Sequence, residues 1–569
     1  MISLKEAISG EAMQNDKKVL DLCQMTNEDT KRINELFDEY ADKYTEFVDR
    51  LSAEHNGCEF WWATKFASRN VYLSNAYWDI CVALYAIEKI QNDSAIKIIK
   101  IDKKEIAIVI SDYVRRRDNL SHLSIKCISE KDQSENALVL LYSYFKTIFR
   151  RLGIKHKICK VSGNRSKLPD QEIVLIEENI IEASCENGNF SSRDFTNLLK
   201  YTDEEIYILP HIHAENREGH ERVIQCLNNS REYRFLHRED FIGIFDCIKL
   251  LQYPFFCFKW GRRKYSFENL DVSAIIKADL MQGLTSVNSL NSLLGYYAIN
   301  NMKKKNINIK ALVGWYEGQP SSIGIFMAYR RKYPNGKSTG YIGIPTDEKY
   351  ISRYPSKEQV SQRVVPEAIS VISDIYKNLP CKYADNVRVK LCPSFRINIS
   401  NRLKKDDEEQ KIIFCTLPIT KIESQKIICM LEAASQSLGS FLIIIKNHPY
   451  NREWKLEDYN IKKVSFNYEF STDSFEKLVN RARIVITSSP STTGAETLLY
   501  GRKAIVVAAP GRITASCIPN SISDSLYRVV YGEKELEQAI SDLTIQDTLN
   551  DKVFDLVELN ETNVRELFI

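Results

Sequence analysis

The chain has 569 residues, more than one hydrophobic core serves well, so two or three α/β domains are expected. Apolar residues make up 44% and charged residues 27%, and 78 Lys and Arg stand against 75 Asp and Glu, a formal charge of +3. That near-balance argues against a protein whose main task is gripping nucleic acid. Basic runs such as Arg115–Arg117, Lys303–Lys305 and Arg330–Lys332 read as solvated helix ends, although enzymes working near anionic membranes also carry them. No stretch reaches the roughly 18 apolar residues of a membrane span, and the opening MISLKEAISGEAMQNDKK has no apolar signal core. Fourteen cysteines are spread without CxxC pairs, and several, such as Cys415, sit in apolar runs. They read as reduced thiols, so a cytoplasmic, enzyme-sized protein is expected.

Taken in chain order, apolar runs alternate with amphipathic helical patterns, the sign of parallel sheets covered by helices. Strands are expected at 95–101, 122–128, 172–178 and 205–211, with a helix over 136–153 between the second and third. A long helical stretch over 273–305 precedes the strand that ends in WYEG (315–318), and a helix and a strand ending in GYIGIP follow. The charged stretch 402–410 is the expected boundary. Beyond it the alternation is clean: strand KIIFCTLP, a helix closed by Gly439, strand FLIIIK, a short helix, strand RIVITS, helix TTGAETLL and strand KAIVVAAP. This predicts an N-terminal Rossmann-like domain with insertions over 1–405, a second Rossmann-like domain over 406–540, and a helical tail over 541–569. The fold class is α/β, with two Rossmann-like domains facing a central cleft.

Parallel α/β sheets bind ligands at the carboxyl ends of their strands. Two polar motifs of the second half stand there. Lys446–Asn447–His448–Pro449 follows strand FLIII, where a histidine can donate to a phosphate oxygen and a lysine adds charge. TSSPSTTGAE (487–496) follows strand RIVI and opens a helix. Ser488, Ser489, Ser491, Thr492 and Thr493 supply hydroxyls, Pro490 suits a first helical turn, and free N–H groups at a helix start favour phosphate. Glu496 lies one turn further in, within reach of ribose hydroxyls.

Together these motifs resemble the HP and SS motifs of bacterial GT-B sialyltransferases and of the capsular and lipopolysaccharide Kdo transferases, over residues 410–540. The resemblance implies a glycosyltransferase taking an acidic sugar (Kdo, pseudaminic, legionaminic or sialic acid) from a CMP-linked donor to a lipopolysaccharide or capsule acceptor. It implies that His448, Ser488, Ser489 and Ser491 contact the CMP phosphate and that Glu496 meets the ribose; Lys446, Pro449 and Thr492 complete the expected donor-binding set. No metal and no other cofactor is expected, because the single phosphate of CMP leaves without the Mg²⁺ that diphosphate chemistry often uses. Peripheral association with the inner membrane is left open.

The reaction also needs a carboxylate facing the donor. Glu317, in WYEGQP at a strand end, is the first candidate, with Gln319 to orient it or bind hydroxyls. The segment 315–343 resembles a W-x-E-x-Q…P…GY stretch of bacterial surface-carbohydrate biosynthesis proteins, without the histidine often found after that GY. EFWWATKFASRN (59–70) is similar to segments of the same proteins. It offers Arg69 for a sugar carboxylate and Asn70 for hydroxyls. Asp279 is a second, weaker carboxylate candidate. His211, His213, His220 and Glu221 lie close in sequence but fall short of a metal-site spacing and fit a polar loop better. The competing readings are a GT-B enzyme using a UDP- or GDP-sugar, and a catalytically inactive glycan-assembly scaffold.

Overall fold

The computed structural model describes residues 19–128, 137–161, 168–214, 216–397, 411–439, 441–545 and 557–569. The expected boundary at 402–410 and the opening residues 1–18 lie outside them. Three parallel sheets organise the chain. The first is small: β1 (Val19–Asp21), β2 (Ile98–Ile101) and β3 (Ser124–Cys127), paired in that order. The helix Asn27–Ala53 that follows β1 begins at a capping box, in which Thr26 Oγ1 accepts from Asp29 N–H and the Asp29 carboxylate accepts from Thr26 N–H. The patterns at 95–101 and 122–128 thus form strands, but in a separate sheet. Within the N-terminal half, expected as a Rossmann-like domain with insertions over 1–405, these strands therefore pair with one another and not with the larger sheet.

The second sheet holds β4 (Ile173–Ile181), β5 (Ile206–His213) and β6 (Arg234–Phe235). After a hairpin of β7 (Ser266–Phe267) and β8 (Leu270–Asp271) come β9 (Ile309–Trp315), β10 (Lys337–Ile342), β11 (Ala368–Val371) and β12 (Arg388–Leu391). The strand order is β12-β11-β10-β9-β4-β5-β6. The expected single helix over 273–305 is two helices, Ser273–Gly283 and Val287–Lys304, because the chain turns through Leu284 to Ser286.

The third sheet contains β13 (Ile412–Thr416), β14 (Leu442–Lys446), β15 (Tyr468–Phe470), β16 (Ile484–Ser488), β17 (Lys503–Val507) and β18 (Tyr527–Val530), in the order β15-β14-β13-β16-β17-β18. Numbered within its own sheet, each of the two large sheets runs 3-2-1-4-5-6, the Rossmann order, with a seventh strand added to the first of them. The two Rossmann-like domains are therefore present, as expected of a GT-B fold. Every residue of β16 and β17 is buried, which is why these strands read as unbroken apolar runs.

The two large domains meet through the loop that follows β17. Asp347, beyond β10, accepts from the N–H groups of Ser516 (2.7 Å) and Cys517 (2.8 Å). Asn34 Oδ1 accepts from Thr514 N–H at 2.7 Å, and the Tyr350 hydroxyl lies 3.2 Å from Cys517 Sγ. One apolar cluster runs from Tyr354 and Tyr376 of the first domain to Ile513, Cys517 and Ile518 of the second. The helix Glu533–Ile545 covers the third sheet through Leu536, Ile540 and Leu543, so residues 541–545 belong to the second domain instead of a separate tail. The final residues return to the first domain: Val557 N–H donates to Ile372 O at 3.2 Å, and Val564 and Leu567 are buried.

Candidate functional site

In the third sheet the order reverses between β13 and β16, and their carboxyl ends open a crevice there. Thr416, last in β13, donates from Oγ1 to Thr487 Oγ1 across it at 2.9 Å. His448 and the Ser488–Thr493 loop flank this point, from β14 on one side and β16 on the other. His448 is half-buried and starts a single turn, Pro449–Asn451. Its Nδ1 accepts from Tyr450 N–H at 3.3 Å, and its ring stacks on that of Tyr450. With Nδ1 an acceptor, the neutral ring carries its proton on Nε2, which is left as a donor. Burial lowers the His448 pKa, so this neutral form holds near neutrality.

The hydroxyl set divides in two. Ser489 is 1% exposed, and its Oγ accepts from Ala515 N–H at 2.8 Å, so it braces the domain-joining loop. Ser488 is buried at the end of β16. Ser491, Thr492 and Thr493 are half-exposed: Ser491 Oγ donates to Thr493 Oγ1 (2.9 Å), and Thr492 Oγ1 donates to Glu496 Oε1 (2.6 Å). The helix is Thr493–Leu499, so Pro490 precedes it and does not occupy its first turn. Seven residues align few peptide dipoles, and anion binding here depends on hydroxyls, free N–H groups and His448 more than on the helix. Lys446 Nζ is engaged by the Asp473 carbonyl, and burial, followed by the nearby Arg452, lowers its pKa.

In the second sheet the order reverses between β4 and β9, and Glu317 stands two residues beyond β9. The Trp315 indole N–H donates to its Oε1 at 3.2 Å, Gln319 Nε2 donates to its Oε2 at 2.7 Å, and Arg353 Nη2 lies 3.5 Å from Oε1. Asn70 and Ser352 both donate to the Glu317 carbonyl, at 3.3 and 2.8 Å. Gly318 makes this close approach feasible: its φ is +63°, and a Cβ there would lie 1.8 Å from Ser352 O. The Glu317 side chain keeps 30% exposure inside this frame.

Arg353 covers the Tyr350 ring at 4.0 Å, and Tyr350 meets Cys517. The Glu496 carboxylate is close enough to help raise the pKa of Cys517 and of Tyr376, after burial, the main cause for both. Contacts thus run from Glu317 through Arg353 and Tyr350 to Cys517, in the loop that follows β17.

By sequence, no known protein family and no curated protein matches the chain. By structure, the chain is similar to Staphylococcus aureus MnaA solved with UDP (10% identity, 66% of this chain and 88% of that one, TM-score 0.35). It is likewise similar to the Neisseria meningitidis UDP-GlcNAc 2-epimerase bound to UDP-GlcNAc (9%, 66% and 91%, TM-score 0.36) and to Acinetobacter baumannii MurG (10%, 70% and 93%, TM-score 0.34). At this distance the likeness says nothing of substrate, and the fold is defined by its own strand order.

Other expected site residues lie elsewhere. Arg69 is 1% exposed; its guanidinium donates to Thr45 Oγ1, Tyr354 O and Gln359 Oε1 at 2.7–3.1 Å and lies over the Tyr383 ring. It ties the first helices to the loop beyond β10 instead of awaiting a sugar carboxylate. Asp279 is buried in the helix Ser273–Gly283 and accepts from Ser74 Oγ at 2.7 Å. His211 Nε2 pairs with Asn291 at 2.7 Å and His213 Nε2 with Asn179 at 3.1 Å. Among the described residues no three His, Cys, Asp or Glu side chains gather as a metal group.

Three charged residues had no sequence signal. Arg353 is buried beside Glu317. Arg396, carried from β12 back across β10 by the Ser394–Gly343 hydrogen bond, lies over Trp315. Asp194 accepts from Arg193 Nε at 3.1 Å. Beneath this edge Glu178 is fully enclosed, accepting from Ser192 Oγ at 2.6 Å, and burial pushes its carboxyl up to about 7. The folded state thus keeps its proton longer than the unfolded chain does. The stabilisation is complete below pH 4.5 and is lost as pH rises through about 7. Glu178→Gln removes that loss. It is expected to stabilise the protein by about 3 kcal/mol at pH 8 and by almost nothing at pH 4.5, measured by urea unfolding at both. An equal effect at both pH values would contradict this.

Proposed function

We propose that the protein is a glycosyltransferase that moves an acidic, ulosonic-type sugar from a CMP-linked donor to a surface-glycan acceptor of the lipopolysaccharide or capsule kind. The observation that supports the reading is the strand order: His448 and the Ser491–Thr493 loop follow strands on either side of the reversal in the second domain, and Glu317 follows a strand at the reversal in the first. In this reading the Nε2–H of His448 and the hydroxyls of Ser491 and Thr493 meet the CMP phosphate. They stabilise the charge it gains as its bond to the anomeric carbon breaks. Glu496, with one oxygen taken by Thr492, turns the other to the ribose. Glu317, both oxygens fixed by Trp315 and Gln319, takes the proton of the acceptor hydroxyl or attacks the anomeric carbon itself. The role first given to Arg69 passes to Arg396, whose guanidinium is one-third exposed beside Trp315 and suits a sugar carboxylate.

The test is nucleotide release from CMP-N-acetylneuraminate, CMP-Kdo, UDP-N-acetylglucosamine and GDP-mannose, with Arg396→Gln alongside. Release from a CMP donor, with a KM raised in the variant while inhibition by CMP alone is unchanged, is the expected result. Release only from UDP- or GDP-sugars would replace the donor class.

A further inference from the structure

We infer that the surface built by the helix Ala137–Val161 and the two short helices Ile244–Leu250 and Tyr253–Trp260 docks on an anionic lipid bilayer. Nine of the nineteen exposed large apolar side chains among the described residues fall between 138 and 149 or between 244 and 255, which makes this a patch and not a scatter. Tyr142 and Phe149, two turns apart on one side of the long helix, are 68% and 69% exposed. Ile244, Phe245 and Phe255 are 66%, 77% and 66% exposed. The helices adjoin: the Tyr144 hydroxyl donates to Leu250 O at 2.7 Å, and the Tyr144 and Tyr253 rings lie 5.9 Å apart.

Charge selects the occupant. On the long helix Lys146 and Arg150 are exposed beside Tyr142 and Phe149, and segment 137–150 has no acid. Segment 244–264 carries five lysines and arginines and a single acid, Asp246, which is buried and bonded to Asn301 and Gly243 N–H. Such an excess, in a chain whose overall charge is only +3, is local. A second copy of the chain docked symmetrically would press base against base. Anionic lipid headgroups supply the opposite sign, and the acyl boundary takes the aromatic side chains. No helix among the described residues is long and apolar enough to cross a membrane, so the contact is with the surface. The inference stands apart from the donor assignment.

The experiment is co-sedimentation of the full chain with vesicles of phosphatidylglycerol and phosphatidylcholine, and with phosphatidylcholine alone. The variants are Phe245→Ser/Phe255→Ser and Lys146→Glu/Arg150→Glu, all exposed positions, each checked to melt as the wild type does. Binding to the anionic vesicles alone, reduced about tenfold in either variant, is the result expected. No sedimentation with anionic vesicles, or variants that sediment as the wild type does, would overturn it. So would light scattering that reveals a dimer dissolved by Phe245→Ser/Phe255→Ser, which would assign the patch to a second copy.

Discussion

Glu317→Gln lowers turnover by about a thousandfold and leaves the Kd for CMP within about twofold of the wild type. The substitution keeps the size of the side chain and the donation from Trp315, but the amide can neither take a proton nor attack carbon. It also turns a donor toward Gln319 or Arg353, where the carboxylate accepted from one and paired with the other. Arg353 is buried, so losing its carboxylate neighbour costs stability as well. A thermal melt of the variant therefore accompanies kcat, KM and the CMP titration, and the kinetic comparison is made below its melting range. Turnover within about tenfold of the wild type would remove Glu317 from the chemistry and leave it a brace of the loop.

Asp347→Ala destabilises the protein by about 4 kcal/mol, since two buried N–H donors, those of Ser516 and Cys517, lose their acceptor together. Both donors share Oδ2, so Asp347→Asn with its oxygen there keeps both bonds and sets its NH2 against the Lys349 N–H that Oδ1 accepted; it is expected to recover more than half of the loss. The effect reaches the cleft because Cys517 touches Tyr350, and Tyr350 underlies Arg353. CMP affinity and turnover should therefore diverge in Asp347→Ala, with turnover falling further. Urea unfolding of the three proteins checks the energy, and a loss under about 1 kcal/mol in Asp347→Ala would show that the loop is held by its apolar packing instead.

The two large sheets were legible because strands covered on both faces read as apolar runs: β4, β9, β16 and β17 stand where the patterns place them. Short strands with little burial, such as β15, with two exposed residues of three, leave no such pattern and were not foreseen. The separate sheet of β1–β3 was invisible for another reason, since apolar alternation identifies a strand but not its neighbour. At the site, motifs at strand ends were readable because a strand end in a parallel sheet has a defined position: His448, Ser491, Glu317 and Gln319 all stand at the reversals of strand order. Residues that arrive by long returns, Arg353 and Arg396, were not. Arg69 and Asp279 show the converse limit. A charged residue within apolar sequence can pair inward as readily as outward, and only the fold decides which.

The central claim, a CMP site at the β13–β16 crevice governed by His448, is tested most directly by thermal stabilisation with CMP, UMP, GMP and AMP, in the wild type and in His448→Ala. A ligand at a hundred times its Kd adds about 2.7 kcal/mol to the folded state, enough to move the melting temperature visibly. The predicted result is stabilisation by CMP above the other three, lost in His448→Ala, whose own melting temperature stays close to the wild type's. Stabilisation by UMP in preference to CMP would contradict the donor assignment, and no response to any of the four would contradict the nucleotide site itself and favour a non-catalytic scaffold.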